Sequence, residues 1–217
     1  MDINSYQTLR VVISLSGLIF FFSLGLLLPF RSSPWFMNKK RWANNLIFTF
    51  GNGLMIRFLV PISLIQLTSS ETFKDFGLFN QLNLSPVVSI VLGVLILDCV
   101  IYWQHRLFHK IPILWRLHRV HHSDPEIDTT SAARFHPIEI LLSFAIKATV
   151  VFCLGISAPA ILIFEVLLNF ASLFNHTNIQ LPKFLEPTLQ KIIITPDLHR
   201  IHHSVKPKEL NTNFGFS

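Results

Sequence analysis

Residues 86–122 have the sequence PVVSIVLGVLILDCVIYWQHRLFHKIPILWRLHRVHH. Positions 86–104 form an apolar run in which Asp98 is the only charged residue. About 20 residues of helix cross a bilayer core about 30 Å thick, so this run predicts a membrane span. Histidines follow the span at once, in the patterns H-x3-H and H-x2-H-H. The stretch therefore predicts a transmembrane helix that leads directly into a histidine-rich segment.

The composition of the whole chain agrees with a membrane protein. Of its 217 residues, 51% are hydrophobic and only 14% are charged, against about 25% charged in a soluble domain. The mean hydropathy is +0.50. A core of this size cannot hide so much apolar surface, which argues against a soluble globular protein, and the same numbers exclude the disordered and fibrous classes. Cys99 and Cys153 both lie in apolar stretches and imply no disulfide framework.

Several further segments are apolar enough to span a membrane. The last two are predicted to form a hairpin, because Gly155 and Pro159 lie near the junction between them. We therefore expect an all-α, multi-pass integral membrane helical bundle with four to five apolar segments. Besides 86–104, these segments are 11–30, 46–66, 138–156 and 157–174.

The charges in the short loops predict the orientation of the bundle. The loop 31–45 carries four basic residues, Arg31, Lys39, Lys40 and Arg41, whereas the next loop carries Glu71, Lys74 and Asp75. Cytoplasmic loops are enriched in Lys and Arg, so we expect the loop 31–45 in the cytoplasm and the N-terminus outside. The net charge of +6 then suits anionic lipid headgroups better than nucleic acid.

All ten histidines lie beyond residue 104. Positions i, i+3 and i+4 share one helix face, so the tight groups of histidines present several imidazoles on the same side of a helix. Imidazole binds Fe, Zn, Cu and Ni, and ten candidates suit two metal ions better than one. A single histidine is more often a polar anchor, so the isolated His136 and His176 are included because each lies at an end of the hairpin. The predicted metal ligands are His105, His109, His118, His121, His122, His136, His176, His199, His202 and His203.

Four segments carry a resemblance to a known family. They are DCVIYWQHR at 98–106, WRLHRVHHS at 115–123, RFHPIE at 134–139 and TPDLHRIHHS at 195–204. These segments resemble the histidine boxes of the fatty acid hydroxylase/sterol desaturase superfamily, which are integral membrane non-haem di-iron enzymes. The resemblance covers residues 86–217 and implies a histidine-box hydroxylase/desaturase domain there, with N-terminal transmembrane helices in residues 1–85. Family members continue after an element like Asn211–Gly215, so we expect the chain to be truncated at its C-terminus.

The resemblance implies an enzyme with two iron ions, for which zinc is a possible substitute, and O2 as co-substrate. It would hydroxylate or desaturate a C–H bond of a lipid, such as a sterol or a fatty acyl chain. The sequence contains no dinucleotide-binding, iron–sulfur or haem-binding motif, so we expect an external electron donor. This donor would be a separate reductase or a ferredoxin-like or cytochrome b5-like carrier. Basic residues near the histidines (Arg106, Lys110, Arg116 and Arg119) would dock such a carrier or hold lipid headgroups.

Three ionisable residues inside the predicted spans are expected to have partners. Asp98 is predicted to accept a hydrogen bond from His105, and Lys147 is predicted to pair with Glu165 across the hairpin, because ionisable residues inside spans need partners. The histidine-rich region is expected as a cytoplasmic metal-binding cap, in a bacterial inner membrane. A membrane metal-binding or transport protein and an inactive truncated family member remain alternatives. The sequence leaves open the substrate, the choice between hydroxylation and desaturation, the catalytic residues beyond the metal ligands, and the oligomeric state.

Overall fold

The computed structural model describes residues 2–60, 62–70, 73, 76–82 and 84–215. Throughout these residues it contains helices and no strand. Five segments are long and apolar enough to cross a membrane, which confirms the predicted all-α membrane bundle. They are Ile3–Leu27, Lys39–Leu67, Pro86–Lys110, Pro137–Leu154 and Ala158–Asn175. Glu71, Lys74 and Asp75, which carried part of the orientation argument, lie outside the described residues.

The first residues of the helices are set by prolines and by capping side chains. Prolines at the first position of several helices, and side-chain caps such as Ser85 before α5 and Thr195 before α10, explain where these helices begin. The helices are α1 (Ile3–Leu27), α2 (Lys39–Leu59), α3 (Leu64–Leu67), α4 (Leu78–Gln81), α5 (Pro86–Lys110), α6 (Pro112–His122), α7 (Pro137–Leu154), α8 (Ala158–Asn175), α9 (Glu186–Leu189), α10 (Pro196–His202) and α11 (Pro207–Leu210).

Helix α8 is central, because it packs against α1, α3, α5 and α10. Its contact with α5 is close at Gly93, where an added Cβ would lie 3.1 Å from the Cβ of Ala160. Leu97 of α5 and Phe164 of α8 belong to the same buried apolar cluster. The close approach of α5 and α8 fixes the position of the C-terminal ends of both helices, and both ends carry histidines.

The predicted hairpin is present as α7 and α8, and α7 ends at Gly155 in the left-handed conformation, with φ +71°. The predicted pair between Lys147 and Glu165 is not formed. Glu165 instead makes a salt bridge with Arg10 of α1, at 2.9 Å. The reason is that a cavity, lined by Lys147 and Glu165, separates the two arms. Helix α1 begins at Ile3, before the predicted apolar segment 11–30. Arg10 therefore lies inside the helix, and its charge is paired with Glu165.

A buried polar network attaches α2 to the segment that follows α6. The guanidinium of Arg41 donates to Asp124 at 2.9 Å, to the carbonyl oxygen of Glu126 at 2.8 Å, and to Asp128. Asn45 donates to the same Asp124 carboxylate at 2.6 Å. These contacts bring the basic loop before α2 to the same end of the bundle as the histidines.

Candidate metal centre

Four helices carry histidines to one end of the bundle. The last turns of α5 hold His105 and His109, and α6 holds three more at the spacing that the sequence predicted to share a face. His176 directly follows α8, and α10 with its C-cap supplies the remaining three. The site is therefore assembled from helix ends that pack together, rather than from one flexible loop.

Nine of the ten histidines form two groups. Within each group, one ring nitrogen from every member lies within 4.8 Å of the others. The five-histidine group consists of His105, His109, His118, His122 and His202, and the four-histidine group consists of His121, His176, His199 and His203.

The two groups share a wall. The rings of His122 and His203 are stacked with centroids 4.2 Å apart, and the rings of His118 and His121 are 5.3 Å apart. The Nε2 atoms face one another within each group, with His105 and His202 at 3.1 Å and His176 and His199 at 3.1 Å. The geometry is thus that of two adjoining sites, each surrounded by imidazole nitrogens.

The hydrogen bonds of several rings define which nitrogen is available. The Nδ1 atoms of His105 and His202 lie 2.9 Å and 2.7 Å from the carbonyl oxygens of Phe214 and Thr212. Because a carbonyl oxygen can only accept, each Nδ1 must carry the hydrogen, and the neutral ring keeps a lone pair on Nε2. The two Nε2 lone pairs therefore point toward each other, an arrangement that a cation between them would stabilise.

Many other ring nitrogens in the two groups are buried and have no hydrogen-bond partner. Both nitrogens of His109 and of His122 are in this state, as are Nε2 of His118 and Nε2 of His203. A buried polar atom without a partner costs free energy, so such atoms are rare in folded proteins. A metal ion in each group would take the lone pair of one nitrogen from each of these rings, and neutral imidazole is a ligand for Fe, Zn, Cu and Ni. The residues present therefore fit a metal centre.

Burial also keeps these imidazoles neutral. Removal from water lowers the pKa of His176 to about 4, and it lowers the pKa of His199 well below the usual histidine value, with neighbouring imidazoles adding to the effect. The same direction and the same leading cause hold for the pKa of His118, His121, His122, His202 and His203. A neutral ring is the form that binds a metal ion.

Three groups of residues that contact the histidine rings were not predicted as site residues from the sequence. The carboxylate of Glu139 lies 2.6 Å from Nδ1 of His118, and the ring of Phe135 stacks on His121 with centroids 4.5 Å apart. The segment that contains Thr212 and Phe214 covers the five-histidine group from one side. The segments 134–139 and 211–215, which contain these residues, both carry the family resemblance. Their sequences do not indicate which histidine ring each residue contacts.

Two candidates from the sequence lie elsewhere. His136 belongs to neither group, and its Nδ1 accepts the backbone N–H of Ile138 at 3.1 Å, so it caps the start of α7. Asp98 is half-buried on α5, about two turns before His105. The Nδ1 atom of His105 bonds to the carbonyl oxygen of Phe214, and the predicted role of Asp98 in orienting His105 stays a prediction.

Comparison with known proteins links these histidines to one family. A family model described as fatty acid hydroxylase matches residues 90–217. The ornithine lipid hydroxylase OlsE of Rhizobium tropici is 36% identical over 126 residues, covering 58% of this chain and 37% of that protein. The alkylglycerol monooxygenase of Xenopus tropicalis is 34% identical over 114 residues, covering 52% and 24%. The human alkylglycerol monooxygenase is 33% identical over 143 residues, covering 64% and 30%.

No solved structure matches the chain. The chain spans only 24% to 37% of the length of these curated relatives. The family match nevertheless covers more than half of the chain, and it contains all ten histidines. The histidine motifs, the apolar helices and the family match agree, and the chain belongs to the fatty acid hydroxylase family, within the fatty acid hydroxylase/sterol desaturase superfamily.

Proposed function

We propose that the two histidine groups hold two iron ions, one in each group, and that the protein is a membrane-bound, O2-dependent oxidoreductase acting on a C–H bond of a lipid. The observation that carries this proposal is the pair of adjoining groups, with nine histidines and many buried ring nitrogens that lack partners. The proposed ligands are the nine histidines of the two groups. His136 is left out because its ring accepts a backbone hydrogen bond at the start of α7.

Iron is proposed because of the chemistry that the relatives' names describe. They are a hydroxylase and monooxygenases, and insertion of an oxygen atom from O2 into a C–H bond needs a redox-active centre, which a metal that changes its oxidation state supplies at imidazole ligands. Zinc has no redox chemistry, so zinc in the site would be a substitute without activity. When bound, two iron ions would supply the exchange of electrons with O2.

The chain's own residues would orient the ligands and exclude water. With a metal ion on its Nε2, His118 would donate from Nδ1 to Glu139, and the carbonyl oxygens of Thr212 and Phe214 accept from His202 and His105. Such hydrogen bonds fix the ring orientation and raise the basicity of the metal-binding nitrogen. The ring of Phe214 lies against the five-histidine group and shields it from bulk water.

The lipid substrate would reach the metal centre from the bilayer. His105, His118 and His121 line one end of a cavity of about 540 Å³ that extends between the spanning helices. A hydrocarbon chain in this cavity would lie beside the histidines. The relatives act on different lipids, so a sterol, a fatty acyl chain and a related lipid all remain candidates, as do hydroxylation and desaturation.

The membrane side and the electron donor belong to the same proposal. The basic loop before α2 lies at the histidine end, which supports a cytoplasmic metal centre through the enrichment of Lys and Arg on that side. Arg106, Lys110, Arg116 and Arg119 are exposed near the histidines and would dock an acidic electron carrier or a reductase. We further propose a bacterial inner membrane as the location, with residues 86–217 as the histidine-box domain and residues 1–85 as N-terminal spanning helices.

Metal content tests this proposal directly. The purified, detergent-solubilised protein is loaded with Fe(II) without oxygen, and bound iron is measured by elemental analysis. We expect two ions per chain, with one lost in His202→Ala and one lost in His121→Ala, because these residues belong to different groups. His136→Ala is the matched control and should keep both ions.

Activity is measured on the same samples, with O2, an added reductase and a panel of lipids. A hydroxylated or desaturated product that disappears in both cluster variants would support the enzyme. Well-folded protein with fewer than two metal ions would contradict the dinuclear site. Two bound ions with release of metal across vesicles, and no O2-dependent product, would instead favour a transport role.

A further inference from the structure

The cavity beside the metal centre has a second polar end. At one end it is lined by histidines of both groups, and at the other by Arg10, Lys147 and Glu165. Lys147 lies eight residues beyond Glu139 on α7, and Glu139 touches His118. Eight residues of helix rise about 12 Å, so the two ends are separated by about this distance.

The far end carries one positive charge in excess. Arg10 and Glu165 neutralise each other in a salt bridge of 2.9 Å. The ammonium of Lys147 makes no hydrogen bond or salt bridge in the part of the chain that the structure describes. An ammonium in an apolar environment is costly unless an anion pairs with it, and ionisable residues inside spans commonly contact a substrate. An anionic group that enters the cavity would give Lys147 a direct partner.

The lining between the two ends is uncharged. Ile140 and Ser143 contribute from α7, and Leu168 and Asn169 contribute from α8. A hydrocarbon chain fits such a surface. A second ionic group would meet no charged side chain between the Lys147 end of the cavity and the end at Glu139 and the histidines. The cavity therefore has the polarity of an amphiphile, with an anion at one end and a chain that reaches the metal centre.

The cavity also borders the lipid between α1 and α2. Val11 and Leu15 line it from α1 and are 49% and 45% exposed on the protein surface. Gly53 lines it from α2, is exposed, and has no heavy atom within 4 Å of the position of an added Cβ. The lining of the cavity therefore reaches the lipid-facing surface of the protein between these two helices.

We infer that Lys147 binds the carboxylate or phosphate of a single-chain anionic amphiphile that enters between α1 and α2. Lys147 then determines which lipid is accepted, and the distance from Lys147 to the histidines determines which part of the chain is presented. The second statement rests on the proposed function, whereas the binding of the anion does not depend on the metal.

Binding to the full chain in nanodiscs of neutral phosphatidylcholine tests this inference. The probes are hexadecanoate, hexadecyl phosphate and hexadecan-1-ol, so the two anions are compared with each other and with a neutral chain. We expect at least one anion to bind about tenfold more tightly than the alcohol, as a charge-assisted hydrogen bond would give. Lys147→Met should abolish this preference and leave binding of the alcohol unchanged.

Two variants separate the role of the charge from damage to the fold. Lys147→Arg keeps the cation and should retain most of the preference. Lys191→Met removes an exposed lysine that does not line the cavity and should leave the preference for anions unchanged. A preference for the anions that persists in Lys147→Met, or a wild-type protein that prefers the alcohol, would overturn the inference.

The entrance is tested by a matched pair of glycines on α2. Gly53 lines the cavity, whereas Gly51 does not, and an added Cβ meets nothing within 4 Å at either position. Gly53→Phe should weaken binding of all three probes about tenfold or more by narrowing the gap, and Gly51→Phe should not. Equal binding to both variants would contradict an entrance at this position.

Metal content is measured on the same samples, so the two proposals fail separately. Normal metal content with no preference for anions would overturn the role of Lys147 alone. A preference for anions that Lys147→Met removes, in protein that binds no metal, would leave this inference standing and contradict the proposed function.

Discussion

The histidine groups and the network around Arg41 lie at the same end of the bundle and are both largely buried, yet their polar atoms are in opposite states. Arg41 finds two carboxylates and carbonyl oxygens that match its donors. The histidines meet other histidines, and many of their ring nitrogens have no partner. Opposite charges complete each other in the first region, whereas like groups are crowded together in the second.

This difference separates a structural role from a ligand-binding role. A buried polar group with matched partners stabilises one arrangement of the chain, since removing one partner leaves the others buried and unpaired. A buried group without partners destabilises the protein until a ligand arrives, and such a site is retained for its function. The comparison therefore predicts that changes in the two regions have different, and partly opposite, effects.

The largest effect on stability is expected at Arg41. Arg41→Met leaves the carboxylates of Asp124 and Asp128 buried without their cation, which costs about 3–5 kcal/mol of unfolding free energy. Unfolding in a detergent titration, followed by circular dichroism, measures this loss. The neighbouring Lys40→Met is the control, because Lys40 is exposed and its change should stay within about 0.5 kcal/mol. Similar losses for the two variants would remove the contrast between the regions.

An intermediate effect is expected where a partner touches the metal centre. Glu139→Gln weakens the acceptor of His118 without removing the side chain, so we expect metal affinity to fall about 10- to 100-fold. Competition of Fe(II) or Zn(II) against a chelating dye measures the affinity. The control is Glu209→Gln, because the carboxylate of Glu209 pairs with Lys206 and not with a histidine. This variant should leave the metal affinity unchanged. An unchanged affinity in Glu139→Gln would show that Glu139 does not support the ligand.

The smallest change in stability is expected inside the histidine groups, in protein freed of metal by a chelator. His122→Leu removes two buried ring nitrogens that have no partner, so the unfolding free energy should stay within about 0.5 kcal/mol or rise. The same variant should lose metal from the five-histidine group. A loss of several kcal/mol in the metal-free protein would indicate that His122 has structural partners, as Arg41 does.

The features that the sequence predicts correctly are local along the chain. Apolar runs predict spans because a helix hides its own backbone and needs only enough length, and α5 and the hairpin of α7 and α8 agree with that expectation. The spacing of His118, His121 and His122 predicted a shared helix face because 3.6 residues make one turn. The family resemblance rested on the same local motifs, and the family match confirmed it.

The charge pairs could not be predicted because their partners are distant along the chain. Lys147 and Glu165 have similar depths in the hairpin, but a cavity lies between its arms. Glu165 forms its salt bridge with Arg10 instead, which lies 155 residues away in the chain. Helix α1 extends beyond the uncharged apolar segment 11–30 toward the N-terminus, and it includes Arg10, whose charge is paired with Glu165 of α8.

By itself the sequence determined the spans, the helical spacing of the histidines and the family, since each depends on residues within a few turns of one another. Only the tertiary structure decided how the rings divide into groups of five and four, that Glu165 pairs with Arg10, and that His105 donates to a carbonyl oxygen 109 residues away. The physical reason is that hydrogen bonds and ligand geometry act over about 3 Å in space, and the packing of helix ends alone brings such distant residues that close.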